Sequence, residues 1–168
     1  MSNPALLECV PNFSEGRDQK VIKAIADSIQ SVVGIQLLHI DIGAAANRTV
    51  MTFVGQPKAV VEAAFRAIQT AQQLIDMHEH QGEHPRIGAT DVCPLVPIRG
   101  ITIEEVVTLA QQLGERVGNE LNIPVFLYEA AATHSSRQNL ATIRKGEYEG
   151  LSDKLQDDNW QPDFGTAT

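Results

Sequence analysis

Apolar residues along this chain repeat in two rhythms. From Gln19 to Val33 they fall at Val21, Ile22, Ile25, Ala26, Ile29 and Val32 or Val33, the spacing of one helix face, and Gly34 closes the run. Short runs rich in branched side chains, "ALLECVPNF" (5–13), "IQLLHIDIG" (35–43) and "RTVMTFVG" (48–55), are bounded by Pro, Asn or Gly and predict strands. Pro57 stands at a favoured first helical position, and Val60, Val61, Ala64, Phe65, Ile68, Ala71, Leu74 and Ile75 carry a second helical stripe to about His80. Gly and Pro residues break it across 81–92, and "VCPLVPIRG" (92–100) reads as a prolyl strand suited to an edge or a bulge. Thr102 and Glu105 have capping-box spacing ahead of a third helix to about Leu121. "PVFLYEAA" (124–131) predicts a further strand, Ser135 with Gln138 opens a short helix through Ile143, and residues from about 152 to 168 predict an irregular tail.

This order opens as βαββαβ. It predicts an α+β fold: a ferredoxin-like sandwich, with a mainly antiparallel sheet and helices on one face, extended by further α and β elements. No linker divides the chain, so residues 1–168 are expected to form a single domain. The other sheet face is left uncovered, and such a face is either polar or buried by a partner.

Composition narrows the partners. A length of 168 residues at 43% hydrophobic supports one cored domain, and a net charge of -8 with no run of Lys or Arg excludes a phosphate-backbone binder. A small anionic substrate stays compatible, because one or two arginines hold a carboxylate whatever the net charge. Cys9 and Cys93 lie in apolar stretches without CxxC spacing, as in a reduced protein. With no signal-peptide pattern and no apolar run near the ~20 residues that cross a bilayer, the expected location is the cytoplasm, away from membranes.

Three candidate features carry chemistry. Alternation along 35–43 sets His39 and Asp41 on one face and Gln36, Leu38, Ile40 and Ile42 on the other; a solvated sheet surface accounts for the same pattern. Asn47 and Arg48 lie near Asp41 across a hairpin, or are simply a turn residue and a surface cation. The segment "MHEHQGEHPRIGATD" (77–91) holds three of the five histidines. His78 and His80 stand about 200° apart on a helix and cannot share an ion there, and Gly82 and Pro85 break any helix joining His80 to His84, so no metal is expected. His78 and His80 instead suit the negative end of the helix dipole. His84, extended by the following Pro and set in a loop with Glu83, Arg86 and Asp91, is either an exposed loop histidine or a base active near neutral pH.

"ECVPNFSEGRD" (8–18), "NRTVMTFVG" (47–55), "LIDMHEHQGEHPRIGATDVCPLVPIRG" (74–100), "IRKGEYEGL" (143–151) and "WQPDFG" (160–165) resemble the N-terminal subdomain of glutamate formimidoyltransferase, the transferase half of formimidoyltransferase-cyclodeaminase. The resemblance implies a folate-dependent one-carbon transferase of histidine degradation. Its formimino group would pass from N-formimino-L-glutamate to N5 of tetrahydrofolate, the co-substrate. It implies His84 of the G-E-H-P-R motif as general base and Asp41 as the residue that orients it or stabilises the cationic formimino group. Arg48 and Asn12 are implied in substrate binding, with Glu83 and Arg86 of the same motif. His39 departs from the family, whose members carry an acidic residue there. In the family, folate lies between two similar subdomains, so a second subdomain or another copy of the chain is expected to cover the open face. A related formyl-transferring or 5-formyltetrahydrofolate-cyclising enzyme, and a non-catalytic folate-binding or interaction module, are the alternatives.

Overall fold

Two prolines decide how the sheet is cut. In the computed structural model, which describes residues 4–166, β1 (Leu6–Cys9) and β2 (Asn12–Phe13) both pair antiparallel with one unbroken run of β4 (Arg48–Gly55): Cys9 faces Phe53 and Asn12 faces Val50. Pro11 has no N–H for the ladder, so the predicted 5–13 strand is interrupted between them. Its carbonyl still accepts from Met51 at 3.1 Å, and Val10 donates to Pro94 at 3.2 Å. Pro94 likewise separates β5 (Thr90–Val92), which pairs with β2, from β6 (Leu95–Arg99), which pairs with β1. β3 (Gln36–Gly43) lies on the far side of β4, so the lateral order is β3, β4, β1 with β2, then β6 with β5. Every pairing is antiparallel.

α1 (Gln19–Gln30) and α2 (Pro57–Leu74) pack against each other and on this sheet. β4 alternates strictly: Thr49, Met51, Phe53 and Gly55 are buried, while Arg48, Val50, Thr52 and Val54 are half-exposed. Leu7, Cys9, Phe13, Met51 and Phe53 join Ile25, Ile29, Val60, Ala63 and Ala67 in the core, all fully buried. Cys9 of the core and the half-buried Cys93, 84 positions apart in sequence, meet as free thiols with sulfurs 3.6 Å apart.

Two expectations are corrected in this region. The second helix ends at Leu74, not near His80: Ile75 is extended (φ -104, ψ 120), and Ile75 and Met77 are buried while Leu74 and Asp76 are exposed. The last apolar residues of the stripe are an alternation of period two, so His78 and His80 are not on a helix and no helix dipole holds them. A bulge at Leu38 also shifts the register between Leu37 and His39. Gln36, opposite Val54, therefore shares the face of His39 and Asp41, which oppose Thr52 and Val50.

The chain divides into two compact units. The one just described runs to His84 and resumes at Gly88–Thr102; the other holds Pro85–Ile87 and the chain from Ile103 onward. The second unit is built on α3 (Ile103–Leu121), with α4 (Leu140–Arg144) and α5 (Leu151–Lys154) following. The strand expected at 124–131 reduces to one bridge, Val125 with Phe164, followed by a 3-10 turn at Glu129–Ala131. The segment expected to be an irregular tail, whose residues 167 and 168 lie outside the described ones, is ordered as far as Thr166 around Arg137, which is 1% exposed. Its guanidinium meets Asp163 at 3.2 Å and the carbonyls of Gln161 and Asn159 at 2.6 and 3.3 Å. It lies 5.1 Å from the Phe126 ring and 5.3 Å from that of Trp160. Phe164 then packs against Gly114 and Gly118, where a Cβ at Gly118 would come within 2.4 Å of the Gly165 nitrogen. No described helix is long and apolar enough to cross a membrane.

Candidate active site

On the sheet face away from α1 and α2, three of the candidate residues share one corner. Asn12, Val50 and Asp41 form a lateral row across β2, β4 and β3, and Arg48 lies two residues along β4 on the same side. Rows of adjacent strands are about 4.8 Å apart, which separates Asn12 from Asp41 by roughly 10 Å. Asp41 is exposed; Asn12, Arg48 and His84 are half-buried.

His84 reaches this corner from a loop, its Nε2 2.5 Å from Nη1 of Arg48. A guanidinium only donates, so the imidazole accepts at Nε2 and the ring proton sits on Nδ1. The contact therefore belongs to a neutral imidazole whose lone pair is occupied.

What holds the loop there is Asn47, which composition alone presents as an ordinary turn residue. It is 8% exposed and left-handed (φ 51), a conformation asparagine tolerates better than most residues. Its Oδ1 accepts from the Gly16 amide at 2.8 Å, its Nδ2 donates to the Gln81 carbonyl at 3.0 Å, and its own carbonyl accepts from His80 Nε2 at 2.8 Å. One residue thus ties the 14–18 loop, the 43–48 turn and the 80–84 loop together. His80, 8% exposed, is a structural partner of that turn, and a carbonyl partner puts its proton on Nε2.

Two glycines allow the approach. A Cβ at Gly16 would stand 2.2 Å from the Gly43 oxygen, and one at Gly82 would stand 2.2 Å from the Ala46 oxygen. Thr49 Oγ1 donates to the Glu15 carbonyl at 2.6 Å and Arg17 Nε to the Ala44 carbonyl at 2.9 Å, adding two further stitches. The sequence signal for this clamp was the "GAAAN" turn itself: small residues, then an asparagine able to adopt positive φ, beside a glycine in each neighbouring loop.

The remaining candidates are placed differently. Glu83 is exposed, and its amide donates to the Ala45 carbonyl at 3.2 Å. Arg86 belongs to the second unit, where Glu149 takes its guanidinium through two bonds of 2.7 and 2.8 Å and Glu147 adds a contact at 3.3 Å. These carboxylates hold Arg86 above the ordinary arginine range despite its burial, and Tyr148 donates to its carbonyl at 2.9 Å. Among the described residues, no group of three or more His, Cys, Asp or Glu is placed to hold a metal ion.

Residues 6–168 match the formiminotransferase domain, N-terminal subdomain. The chain belongs to this family. The formimidoyltransferase-cyclodeaminase of Mus musculus is 56% identical over 163 residues, which are 97% of this chain and 30% of that protein. The glutamate formimidoyltransferase of Streptococcus pyogenes serotype M1 is 49% identical over 160 residues, 95% of this chain and 54% of its own length. That of Thermoplasma acidophilum is 47% identical over 165 residues, 97% and 54% respectively. The formiminotransferase subdomain described here thus spans between about a third and about half of these relatives.

Proposed function

We propose that this chain is the base-bearing, ferredoxin-like half of a folate-dependent glutamate formimidoyltransferase, working in the cytoplasm on N-formimino-L-glutamate and tetrahydrofolate. The observation that carries the reading is the Arg48–His84 contact, in a chain that matches the formiminotransferase subdomain over residues 6–168. The strand order, with β1/β2 between β4 and β6/β5 and a helix crossing between each non-adjacent pair, supports the ferredoxin-like description.

In the proposed reaction, N5 of tetrahydrofolate attacks the amidine carbon of the formimino group and gives up its proton to His84 Nε2. The new N5–C bond replaces the bond from carbon to the glutamate nitrogen, which leaves carrying a proton. A histidine suits this exchange, because its ordinary pKa of about 6.5 lets it take and return a proton near neutral pH. Asp41 would stabilise the cationic formimino group, and Asn12 would hydrogen-bond it.

Arg48 has to leave Nε2 before His84 accepts a proton. A carboxylate of the substrate supplies the reason, since a charge-assisted, bidentate partner outcompetes a neutral imidazole for a guanidinium. Glu83 is assigned to the rim of the same site. Arg86, of the same sequence motif, is likewise assigned to substrate binding. The groove for folate requires a second subdomain or a second copy.

The test measures formimino transfer from formiminoglutamate to tetrahydrofolate by the chain and by His84→Gln, together with binding of formiminoglutamate to each. Loss of at least ~100-fold in kcat with binding retained in His84→Gln is the expected result for a missing general base. Equal rates for the two proteins, or activity only with formylglutamate, would refute it.

A further inference from the structure

Cys9 and Cys93 are the chain's two cysteines, and the fold brings them from 84 positions apart into van der Waals contact, with sulfurs at 3.6 Å. The proposed transfer uses neither. Their surroundings differ: Cys9, in β1, is fully buried, whereas Cys93, between β5 and β6, is half-buried. A small oxidant arriving from solvent therefore meets Cys93 first, and whatever forms there lies within reach of the Cys9 sulfur. A disulfide sets its sulfurs about 2.05 Å apart, so the pair has to close by roughly 1.5 Å. The backbone at Cys93 can supply that movement. Cys9 is opposite Leu95, and Val10 donates to the Pro94 carbonyl at 3.2 Å, which keeps Cys93 beside β1. Pro94 offers no N–H, so the ladder is already interrupted where Cys93 sits.

We propose that Cys93 is a peroxide-reactive thiol with Cys9 as its resolving partner, so that the chain takes up a two-electron oxidation as a reversible intramolecular disulfide. The Cys93 thiolate attacks one oxygen of hydrogen peroxide. The O–O bond breaks, the other oxygen leaves as hydroxide, and the proton that Cys93 gave up turns it into water. The Cys9 sulfur then attacks the sulfur of the sulfenic acid. The S–S bond forms as the S–O bond breaks, and the hydroxyl departs as a second water with the proton of Cys9. Two thiols are oxidised and one peroxide is reduced to two waters. A nearby second thiol intercepts the sulfenic acid before it passes to the irreversible sulfinic stage, and a transient disulfide of this kind is compatible with a reducing compartment.

The disulfide has a local consequence. It joins β1 to the residue directly after β5, and β5 is held to β2 by the pairs Asn12 with Val92 and Phe13 with Thr90. Ahead of β5, the Ser14 amide donates to the Ala89 carbonyl at 2.8 Å. A covalent tie at Cys93 therefore restrains opening of the segment that runs from Gly88 to Pro94, and the Val10 and Ser14 amides report on it.

The test treats the chain with hydrogen peroxide, traps remaining thiols with N-ethylmaleimide in urea, and reads the intact mass. Wild type should lose the mass of two hydrogens and take up no maleimide, and dithiothreitol should restore both thiols. Exchange at the Val10 and Ser14 amides should slow by about tenfold in the oxidised chain. Cys9→Ala has no resolving partner, so its Cys93 should run on to sulfinic acid, which dithiothreitol does not reverse. Cys93→Ser changes the half-buried member instead, and should leave Cys9 reduced at a peroxide dose that converts wild type fully. Two maleimides on peroxide-treated wild type, a disulfide found only between copies of the chain, sulfinic acid at Cys93 beside a free Cys9, equal oxidation of Cys9 in Cys93→Ser, or amide exchange unchanged by oxidation would each overturn the proposal.

Discussion

Replacing Asn47 with alanine isolates what holds the candidate site together. The change removes an acceptor from the buried Gly16 amide and a donor from the Gln81 carbonyl, bonds of 2.8 and 3.0 Å. Each is worth about 1 kcal/mol net, with more when the orphaned partner stays buried. The left-handed backbone at φ 51 costs alanine roughly 1 kcal/mol besides. Together these give about 3–4 kcal/mol. Asn47→Gly loses the same two bonds but not the backbone cost, so it should lose about 2–3 kcal/mol by the same reckoning. Asn47→Asp keeps the acceptor for Gly16 yet turns a carboxylate oxygen toward the Gln81 carbonyl, and should fall between wild type and alanine. Urea unfolding at constant m-value ranks the variants, and hydrogen exchange at the Gly16 amide reports the bond directly. Alanine and glycine variants both within about 0.5 kcal/mol of wild type, with Gly16 still protected, would refute the clamp, since surface substitutions stay inside that range.

Two further outcomes follow from buried groups. Arg137→Met in the second unit leaves Asp163 buried without its cation and vacates the space between Phe126 and Trp160. A loss of about 3–5 kcal/mol is expected, and calorimetry that finds less than 1 kcal/mol would contradict the arrangement. Burial, then the contact with Cys93, pushes the Cys9 thiol well above the ordinary value. The folded chain therefore keeps a proton that the unfolded chain releases from about pH 8.5 upward. The stabilisation is complete below that pH and is lost, at up to about 1.4 kcal/mol per pH unit, as pH climbs toward the raised folded value. Cys9→Ala should flatten that slope in unfolding measured between pH 8 and 10, and iodoacetamide should modify Cys93 well before Cys9.

Periodicity gave the core elements well because their burial is regular. The start of the first helix at Gln19, β4 and the order of strands and helices through Arg99 all follow from apolar spacing, and the structure keeps them, although that helix ends at Gln30 rather than at Val33. The failures occur where another force sets the backbone. The end of α2 was overrun because Ile75 and Met77, buried by alternation, look like one more helical turn when counted in threes and fours. The expected strand at 124–131 and the tail are organised by Arg137, a buried cation that no hydrophobic pattern can reveal. The Cys9–Cys93 contact joins residues 84 positions apart and depends on strand register. For the site, alternation correctly set His39 with Asp41, but the small-residue turn ending in Asn47 signals only a tolerance of positive φ, and His80 carries no signal of its own: their roles exist only after three loops have met.

On the proposed assignment of His84 as base, the same corner gives a reason for a base and a cation to be neighbours. Arg48 occupies the His84 lone pair, and on that assignment the imidazole accepts no proton until the contact breaks. On the proposed chemistry, a carboxylate that draws Arg48 away both anchors the donor and bares the base, coupling reactivity to binding. That coupling depends on a short reach, and Arg48 is the residue directly after Asn47, which also fastens the loop leading to His84. Loosening the clamp would then let Arg48 and His84 drift apart. The base would be free without substrate but poorly aimed once substrate arrives. Asn47→Ala should accordingly depress kcat more than it raises KM, whereas Arg48→Ala, which removes the carboxylate's partner, should act mainly on KM.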